Sequence, residues 1–354
     1  MTVRKLMPLV AAALVAVLVL ALGAGTGAAK SDVAAQAPFK VALVTDIGGL
    51  DDRSFNFLAN KGLQDAKKKL GVQGRVFISK SDRDYIPNLS TAARQGYNLV
   101  ISVGFLMGDS TAAVAARFPK TKFAIIDNSG AAKDFTKGPK PTNVRGLLFK
   151  EQEAGYLAGY LAALAAKNRP QSAGLIGAVG GLKIPPVDRF IAGYYAGAKR
   201  AWPQVKVTHN YSQDFVDQAK CKEQALAQIA RGASVVFQVA GQCGLGVLSA
   251  AKEKNVWGIG VDADQGYIGP HVLTSATKKV DVAVYKSIEA AKAAGPRFRT
   301  NFNAIFTVKN GGVGYGKISS RAQPAWRTAV ENIRKQIAAG TIKGIPQAPP
   351  PVTG

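Results

Sequence analysis

An alternation of short apolar segments with amphipathic ones restricts the fold of this chain more than any other feature of its sequence. Residues 41–44 are a short apolar run, which predicts a buried strand. A Gly48-Gly49 turn with acidic neighbours follows, and apolar residues then recur at spacings of three and four over 55–70, which predicts a helix. Ligands of open parallel sheets bind at the carboxyl ends of the strands, where such turns lie. We therefore expect the turn to form one wall of a ligand site.

The same alternation continues along the chain in two successive series, with a junction near Lys150. The first series has strands at 75–79, 99–103, 123–127 and 144–149, with helices at 86–95 and 110–117 between them. The second begins with an Ala-rich helix at 151–167 and has strands at 173–179, 205–211, 235–239 and 256–261. Because strands alternate with helices throughout, the sheets should be mostly parallel and covered on both faces. The predicted fold is therefore α/β, with two doubly wound lobes joined by a hinge.

The predicted division of the chain follows from these two series. After the second series come a strand at 272–275, a helix at 280–294, a strand near 303–308, a glycine-rich turn at 311–316 and a helix at 324–339. We assign residues 1–29 to a signal peptide, 39–149 to the N-terminal lobe, 150–272 to the C-terminal lobe, 273–345 to a return segment that completes the N-terminal lobe and hinge, and 346–354 to a disordered tail.

The first 29 residues have the order of a secretory signal peptide. Arg4 and Lys5 precede an apolar run over 9–22, and small residues follow as far as Ala29. The run is short for a membrane span, although an uncleaved anchor is the alternative. No cysteine lies near the expected cleavage site, which predicts export to the periplasm or the extracellular face of the plasma membrane without a lipid anchor.

The chain is strongly basic, with 46 Lys and Arg against 22 Asp and Glu and a net charge of +24. The basic residues are dispersed, as in the run 67–69 on a polar helix face, without an aromatic-interleaved stripe. This pattern favours a solvated surface that can contact anionic membranes or cell-wall polymers and argues against a nucleic-acid partner. We expect a monomer.

The two cysteines, Cys221 and Cys243, can form a disulfide, because an exported protein meets an oxidising environment. Cys221 lies at the start of a predicted helix and Cys243 follows the next strand, so both belong to one edge of the sheet. A bridge would be geometrically reasonable and would contribute about 3 kcal/mol. The alternative is two free buried thiols.

Polar and aromatic residues recur just past the predicted strands. Carboxylates accept hydrogen bonds from hydroxyl and N–H groups, and an aromatic ring offers a flat apolar face, so a neutral, ring-bearing, hydroxyl-rich ligand would suit the set. Taken singly, the aspartates could be helix caps, the phenylalanines could be core residues, and Lys278 could pair with Lys279 at the surface. The candidate site residues are Asp46, Phe55, Gly104, Asp127, Phe190, Gly241, Asp262 and Lys278.

Several of these segments together resemble one known family. The segments 44–49 and 52–56 are similar to the opening motif of the BMP family, the basic membrane protein or purine-nucleoside-receptor type of ABC transporter substrate-binding protein. The similarity continues at 103–105, 123–127, 149–159, 260–265 and 273–278, and extends over nearly all of residues 39–295.

The resemblance implies a type I periplasmic-binding-protein fold that holds a nucleoside between its lobes and delivers it to a permease and ATPase complex. It implies that Phe55 and Phe190 sandwich the base and that Asp127 accepts from the base edge. It also implies that Asp46, Asp262 and Lys278 hold the ribose. The family's usual lipoprotein cysteine is missing, and Ile47 replaces a polar residue of some members.

Other functions are less well supported by the residues. A simple sugar or another small polar solute is the alternative ligand, and a nucleoside-cleaving or other hydrolase is a further alternative. The segment 108–112 approaches a nucleophile elbow, with His209 or His271 as base, but it does not directly follow a strand and lacks the last glycine. Ser110 is therefore expected to be a helix N-cap. No His and Cys residues have metal-ligand spacing, and no cofactor is expected.

Overall fold

Two six-stranded sheets dominate the computed structural model, which describes residues 37–135, 138–170 and 173–351. In the first sheet every neighbouring pair of strands is parallel. Its strands are β1 (Lys40–Val44), β2 (Gln73–Phe77), β3 (Leu99–Ser102), β4 (Lys122–Ile126), β5 (Val144–Phe149) and β11 (Phe302–Phe306), in the spatial order β11-β5-β4-β3-β1-β2.

The second sheet repeats this arrangement with one antiparallel edge strand. Its strands are β6 (Leu175–Gly180), β7 (Lys206–Tyr211), β8 (Ala233–Val239), β9 (Trp257–Asp262), β10 (Val272–Lys278) and β12 (Val313–Tyr315), in the order β12-β10-β9-β8-β6-β7. Only β12 runs against its neighbour, β10. The predicted α/β fold with two mainly parallel sheets is confirmed.

Helices cover both faces of each sheet. They are α1 (Phe55–Leu70), α2 (Tyr85–Arg94), α3 (Gly108–Arg117), α4 (Glu151–Lys167), α5 (Pro185–Ala201), α6 (Gln218–Ala230), α7 (Gly244–Glu253), α8 (Val280–Ala294) and α9 (Pro324–Ala338). Alternate residues of a strand point to opposite faces, so Leu43 and Val44 enter different apolar cores. The core that contains Leu43 continues through α4 into the second sheet.

Glycines allow α4 and α5 to approach very closely. A Cβ atom at Gly155 would lie 2.1 Å from the carbonyl oxygen of Phe190, and one at Gly193 would lie 2.1 Å from that of Gln152. Real side chains do not tolerate such distances, so both positions require glycine. The contact fixes the start of α5, which carries Phe190, against the start of α4.

The chain crosses between the sheets three times, at neighbouring points. The first crossover runs from β5 to β6, the second from β10 to β11, and the third from β11 to β12. The backbone N–H of Lys150 donates to the carbonyl of Phe306 at 2.9 Å, and that of Lys279 donates to the carbonyl of Gly312 at 2.9 Å. Hydrogen bonds between the crossovers thus gather them into one hinge region.

Some details of the chain division differ from the sequence-based expectations. The segment 273–345 supplies strands to both sheets, because β11 joins the first while β10 and β12 belong to the second. The expected turn at 311–316 contains β12, whose Val-Gly-Tyr sequence lacks the alternation of apolar and polar residues that predicts a strand. Residues 346–351 form neither helix nor strand, while the expected signal peptide and residues 352–354 lie outside the described residues.

Candidate ligand-binding pocket

A pocket lies between the carboxyl ends of the strands of the two sheets. Its empty volume is about 630 Å³ with the open mouth included. All eight candidate residues line it. Twelve others also do so: Ile47, Gly48, Asp52, Asn56, Phe105, Ile184, Pro186, Val187, Phe215, Val239, Gln242 and Val261.

Asp52 shapes the turn that follows β1. Its carboxylate accepts the backbone N–H groups of Ser54 at 3.0 Å, Asn56 at 2.7 Å and Phe57 at 3.0 Å. These bonds satisfy N–H groups that the start of α1 leaves without helical partners. Ser54, which directly precedes α1, makes no capping bond with its side chain. The capped turn places Phe55 at the pocket.

Asp46 caps no helix and instead turns into the pocket. It accepts a hydrogen bond from the Tyr85 hydroxyl and another from the N–H of Ile47 at 2.7 Å. Burial raises the pKa of Asp46 to about 6, although these bonds oppose the rise. Gly104 is needed beside it, because a Cβ atom there would lie 2.2 Å from Asp46 Oδ2.

Lys278 is the central cation of the pocket and is only 2% exposed. Its Nζ lies 2.6 Å from Asp127 Oδ2 and 3.0 Å from Glu151 Oε1. It also lies 5.1 Å from the ring centre of Phe55 and 4.9 Å from that of Phe149. Burial alone would lower the pKa of Lys278, but the neighbouring carboxylates raise it overall. The interpretation of Lys278 as half of a surface pair is wrong.

Asp127 directly follows β4 and Asp262 ends β9, both with left-handed backbones, at φ values of 68° and 59°. Such φ values are uncommon outside glycine and often occur at functional sites. The Oδ2 atom of Asp262 accepts from the Ser54 hydroxyl at 2.8 Å. Burial raises the pKa of Asp262 to about 7 and that of Asp127 to about 6, while Lys278 opposes both rises. Among the described residues, Asp127 Oδ1 is buried and has no hydrogen-bond partner.

Aromatic side chains supply much of the apolar wall. Phe190 is 3% exposed and packs edge-on against Phe237, with ring centres 6.3 Å apart. Phe105 and Phe215 also line the pocket, although neither was among the predicted site residues. Both follow the ends of strands, β3 and β7, so the same strand-end rule could have included them.

A disulfide joins Cys221 to Cys243 in the second lobe, with their Cα atoms 5.5 Å apart. The N–H of Cys243 donates to the carbonyl of Phe215 at 3.0 Å. The bridge therefore ties the segment that carries Gly241 to α6, close to the pocket wall.

Residues that suggested catalysis are not assembled into a site. Ser110 lies within the first turn of α3, which begins at Gly108, so its predicted role as N-cap is wrong. His209 shares a hydrogen bond with Tyr195 at 3.0 Å in the second lobe. In the part of the chain that the structure describes, no group of three or more His, Cys, Asp or Glu could hold a metal, and no helix is long and apolar enough to span a membrane.

Two mainly parallel sheets with a pocket at their strand ends define a two-lobed solute-binding protein. A solved solute-binding protein of an ABC transporter system from Aeropyrum pernix is 29% identical, with a TM-score of 0.77, covering 88% of this chain and 94% of that one. One from Conexibacter woesei shares the fold at 24% identity and a TM-score of 0.67, covering 86% and 97%. The fold is the type I periplasmic-binding-protein fold.

The chain belongs to the Bmp family of PnrA-like ABC transporter substrate-binding proteins, which it matches over residues 39–344. The nucleoside-binding protein BmpA of Lactococcus lactis is 36% identical over 361 residues, covering 96% of this chain and 98% of that one. A basic membrane protein of Borrelia garinii is 34% identical over 259 residues, covering 72% of each. The family resemblance found in the sequence is confirmed.

The prediction of an exported protein without a lipid anchor is corrected by these comparisons. Relatives from three Pyrococcus species, 35–36% identical, are named lipoproteins, so proteins similar to this chain include lipid-anchored ones. Both cysteines of this chain are in the disulfide, so the described residues do not show a site of attachment. The expected signal peptide lies outside these residues.

Proposed function

We propose that this substrate-binding protein captures a nucleoside, of the purine class, and delivers it to the permease of an ABC importer. The observation that carries the proposal is the buried Asp127 Oδ1 atom, which has no partner among the described residues and lies in an aromatic-lined pocket. An unpaired buried carboxylate oxygen is costly, and an N–H donor of a ligand would satisfy it.

The two lobes supply the flat apolar surfaces that a base requires. Phe55 comes from α1 of the first lobe and Phe190 from α5 of the second, so closure of the lobes would bring a ring to each face of the base. The edge of the base would donate to Asp127. The name of the Lactococcus lactis relative, a nucleoside-binding protein, supports the same ligand class.

The sugar would occupy the polar part of the pocket. Asp46 and Asp262 are acceptors for ribose hydroxyl groups, and Lys278 is a donor to their oxygens. Asp46, Asp127 and Asp262 oppose a negative charge, which disfavours a phosphorylated ligand. The pocket thus suits the neutral nucleoside better than its phosphates.

Calorimetric titration tests the ligand class. We expect adenosine, guanosine or inosine to bind and free ribose to give no heat. Binding of a free sugar without any nucleoside would contradict the proposal and favour a sugar-binding protein. Release of free base during incubation, followed by chromatography, would instead indicate a nucleoside-cleaving enzyme.

Replacing the aromatic residues tests the site itself. We expect Phe55→Ala and Phe190→Ala each to weaken nucleoside binding by about 1–3 kcal/mol through lost apolar burial and stacking. Phe57→Ala is the matched control, because Phe57 is 44% exposed and does not line the pocket. Unchanged affinity in both pocket variants would remove the two rings from the site.

Delivery to a permease is tested in cells. Deletion of the gene should abolish uptake of a labelled purine nucleoside at low concentration, and the intact gene should restore it. Restoration by the Phe190→Ala variant at the wild-type rate would show that uptake does not depend on this pocket.

A further inference from the structure

Glu151 is a buried carboxylate that the proposed ligand contacts leave unused. It is the first residue of α4 and is completely buried. Its Oε1 lies 3.0 Å from Lys278 Nζ, and its Oε2 lies 3.3 Å from Arg189 Nη1. A buried carboxylate is expensive unless it is paired, and here both oxygens face cations.

The pair also lies where the chain crosses between the lobes. Glu151 follows the crossover after β5, and Lys278 ends β10 directly before the next crossover. The adjoining residues Lys150 and Lys279 are bonded at 2.9 Å to Phe306 and Gly312 of the third crossover segment. The Glu151–Lys278 contact therefore links two hinge crossovers at the floor of the pocket.

A lysine ammonium needs more than one fixed partner to be held in position, because its four-carbon stem is flexible and its three N–H donors rotate together. Asp127, which follows β4, accepts a hydrogen bond from Lys278 Nζ at 2.6 Å. Glu151, at the start of α4, adds an ion pair at 3.0 Å without a hydrogen bond. The two carboxylates hold the ammonium between them, and the hydrogen bond to Asp127 leaves N–H donors available to a ligand.

We propose that Glu151 is a positioning residue, whose charge holds the Lys278 ammonium so that a free N–H donates to the ligand and so that ligand binding is coupled to the hinge. This inference rests on the proposed function for the identity of the ligand. Arg189 completes the arrangement by balancing the second oxygen of Glu151.

The first experiment measures inosine and adenosine binding to Glu151→Gln, which keeps the shape and removes the charge. We expect affinity to fall at least about tenfold, since the buried charge that holds the ammonium is lost. Glu153→Gln is the matched control: Glu153 lies in the same helical turn and pairs with Lys150 at 3.6 Å, and it accepts from the N–H of Val308 at 2.7 Å, a bond that glutamine can keep. Its affinity should stay within about twofold of wild type.

A double-variant cycle separates positioning from a general structural role. In a Lys278→Met background, Glu151→Gln should have little further effect on affinity, because Glu151 acts through Lys278. An equal loss of affinity in both backgrounds would overturn the proposal. Unchanged affinity of the single Glu151→Gln variant would overturn it as well.

A ligand-free measurement keeps this inference distinct from the nucleoside proposal. The ammonium signal of Lys278, assigned by its absence in Lys278→Met, should be visible by ¹⁵N NMR in the wild type and in Glu153→Gln. It should be shifted or lost in Glu151→Gln. If the wild type binds no nucleoside, the proposed function fails, but this signal still tests the role of Glu151. An unchanged Lys278 signal in Glu151→Gln would overturn the proposal that Glu151 positions Lys278.

Discussion

The two sides of the pocket hold their buried carboxylates with different partners. On the hinge side, charged groups pair with one another: Asp127, Glu151, Lys278 and Arg189. On the turn side, the direct partners of the carboxylates are neutral: Asp46 accepts from the Tyr85 hydroxyl and the Ile47 N–H, and Asp262 accepts from the Ser54 hydroxyl. A ligand hydroxyl can replace a neutral donor at little cost, whereas removal of a buried counter-charge is expensive. We therefore expect the hinge-side ion pairs to stay in place on ligand binding, whereas the turn-side carboxylates can exchange their hydrogen-bond partners for ligand hydroxyl groups.

Loss of the hinge-side cation should have the largest effect. We expect Lys278→Met to reduce the free energy of unfolding by about 3–5 kcal/mol, because Asp127 and Glu151 lose their shared counter-ion. Nucleoside affinity should fall by more than about a hundredfold. Lys61→Met is the control: Lys61 also bridges two carboxylates, but its side chain is 46% exposed. Urea unfolding and calorimetry measure both effects, and equal losses in the two variants would contradict the comparison.

Crowding of the turn side should have the next largest effect. In Gly104→Ala the new methyl group would meet Asp46 Oδ2, at a backbone φ of 118° that alanine resists. We expect a loss of about 1–3 kcal/mol in the free energy of unfolding and weaker binding. Gly96→Ala shares the positive φ, at 68°, but has no atom within 4 Å. A similar loss in both variants would show that backbone strain, and not the contact with Asp46, is responsible.

The pH dependence should be opposite for ligand binding and for ligand-free stability. The pKa values of Asp46 and Asp262 are raised to about 6 and about 7, so the folded state binds their protons more tightly than the unfolded chain does. Their contribution to stability is thus complete below about pH 4 and is lost as the pH rises through 6–7. An ionised carboxylate accepts from ligand hydroxyl groups more strongly than a protonated carboxyl group does, so affinity should rise about tenfold or more between pH 5 and 8.

Asp262→Asn sharpens this test. It removes the carboxylate with the higher pKa on the turn side, so the rise in affinity above pH 6 should shrink. The same variant should lessen the fall in ligand-free stability between pH 5 and 8. A pH profile identical to the wild type would show that Asp262 does not titrate in this range.

Removal of the Ser54 hydroxyl should have the smallest effect. It donates to Asp262 and lies 3.2 Å from the carbonyl of Val261, so it connects the lobes. We expect Ser54→Ala to lower the free energy of unfolding by about 1 kcal/mol. Ser90→Ala is the control, because Ser90 is buried and its hydroxyl has no hydrogen-bond partner among the described residues. A cost as large as that of Lys278→Met would break the distinction between the two sides.

The sequence by itself determined the repeated α/β architecture and the edge at which the pocket lies. Apolar periodicity is local, so it fixed most helices and strands within a few residues. The direction of parallel strands then brings the residues past their ends together within each sheet, which is why Asp46 and Asp127 of the first sheet could be named as neighbours. The motif resemblance identified the family for the same reason, since its residues cluster at those turns.

Only the tertiary structure decided which of these side chains pair with one another. Lys278 and Asp127 are 151 residues apart in sequence, and their contact depends on the three crossovers that meet at the hinge. The role of Glu151 depends on the same meeting, as does the unpartnered oxygen of Asp127. The short β12 was missed because its register is set by β10 and not by its own residues. Periodicity reports which face of an element is buried, but the partner across the interface is set by packing.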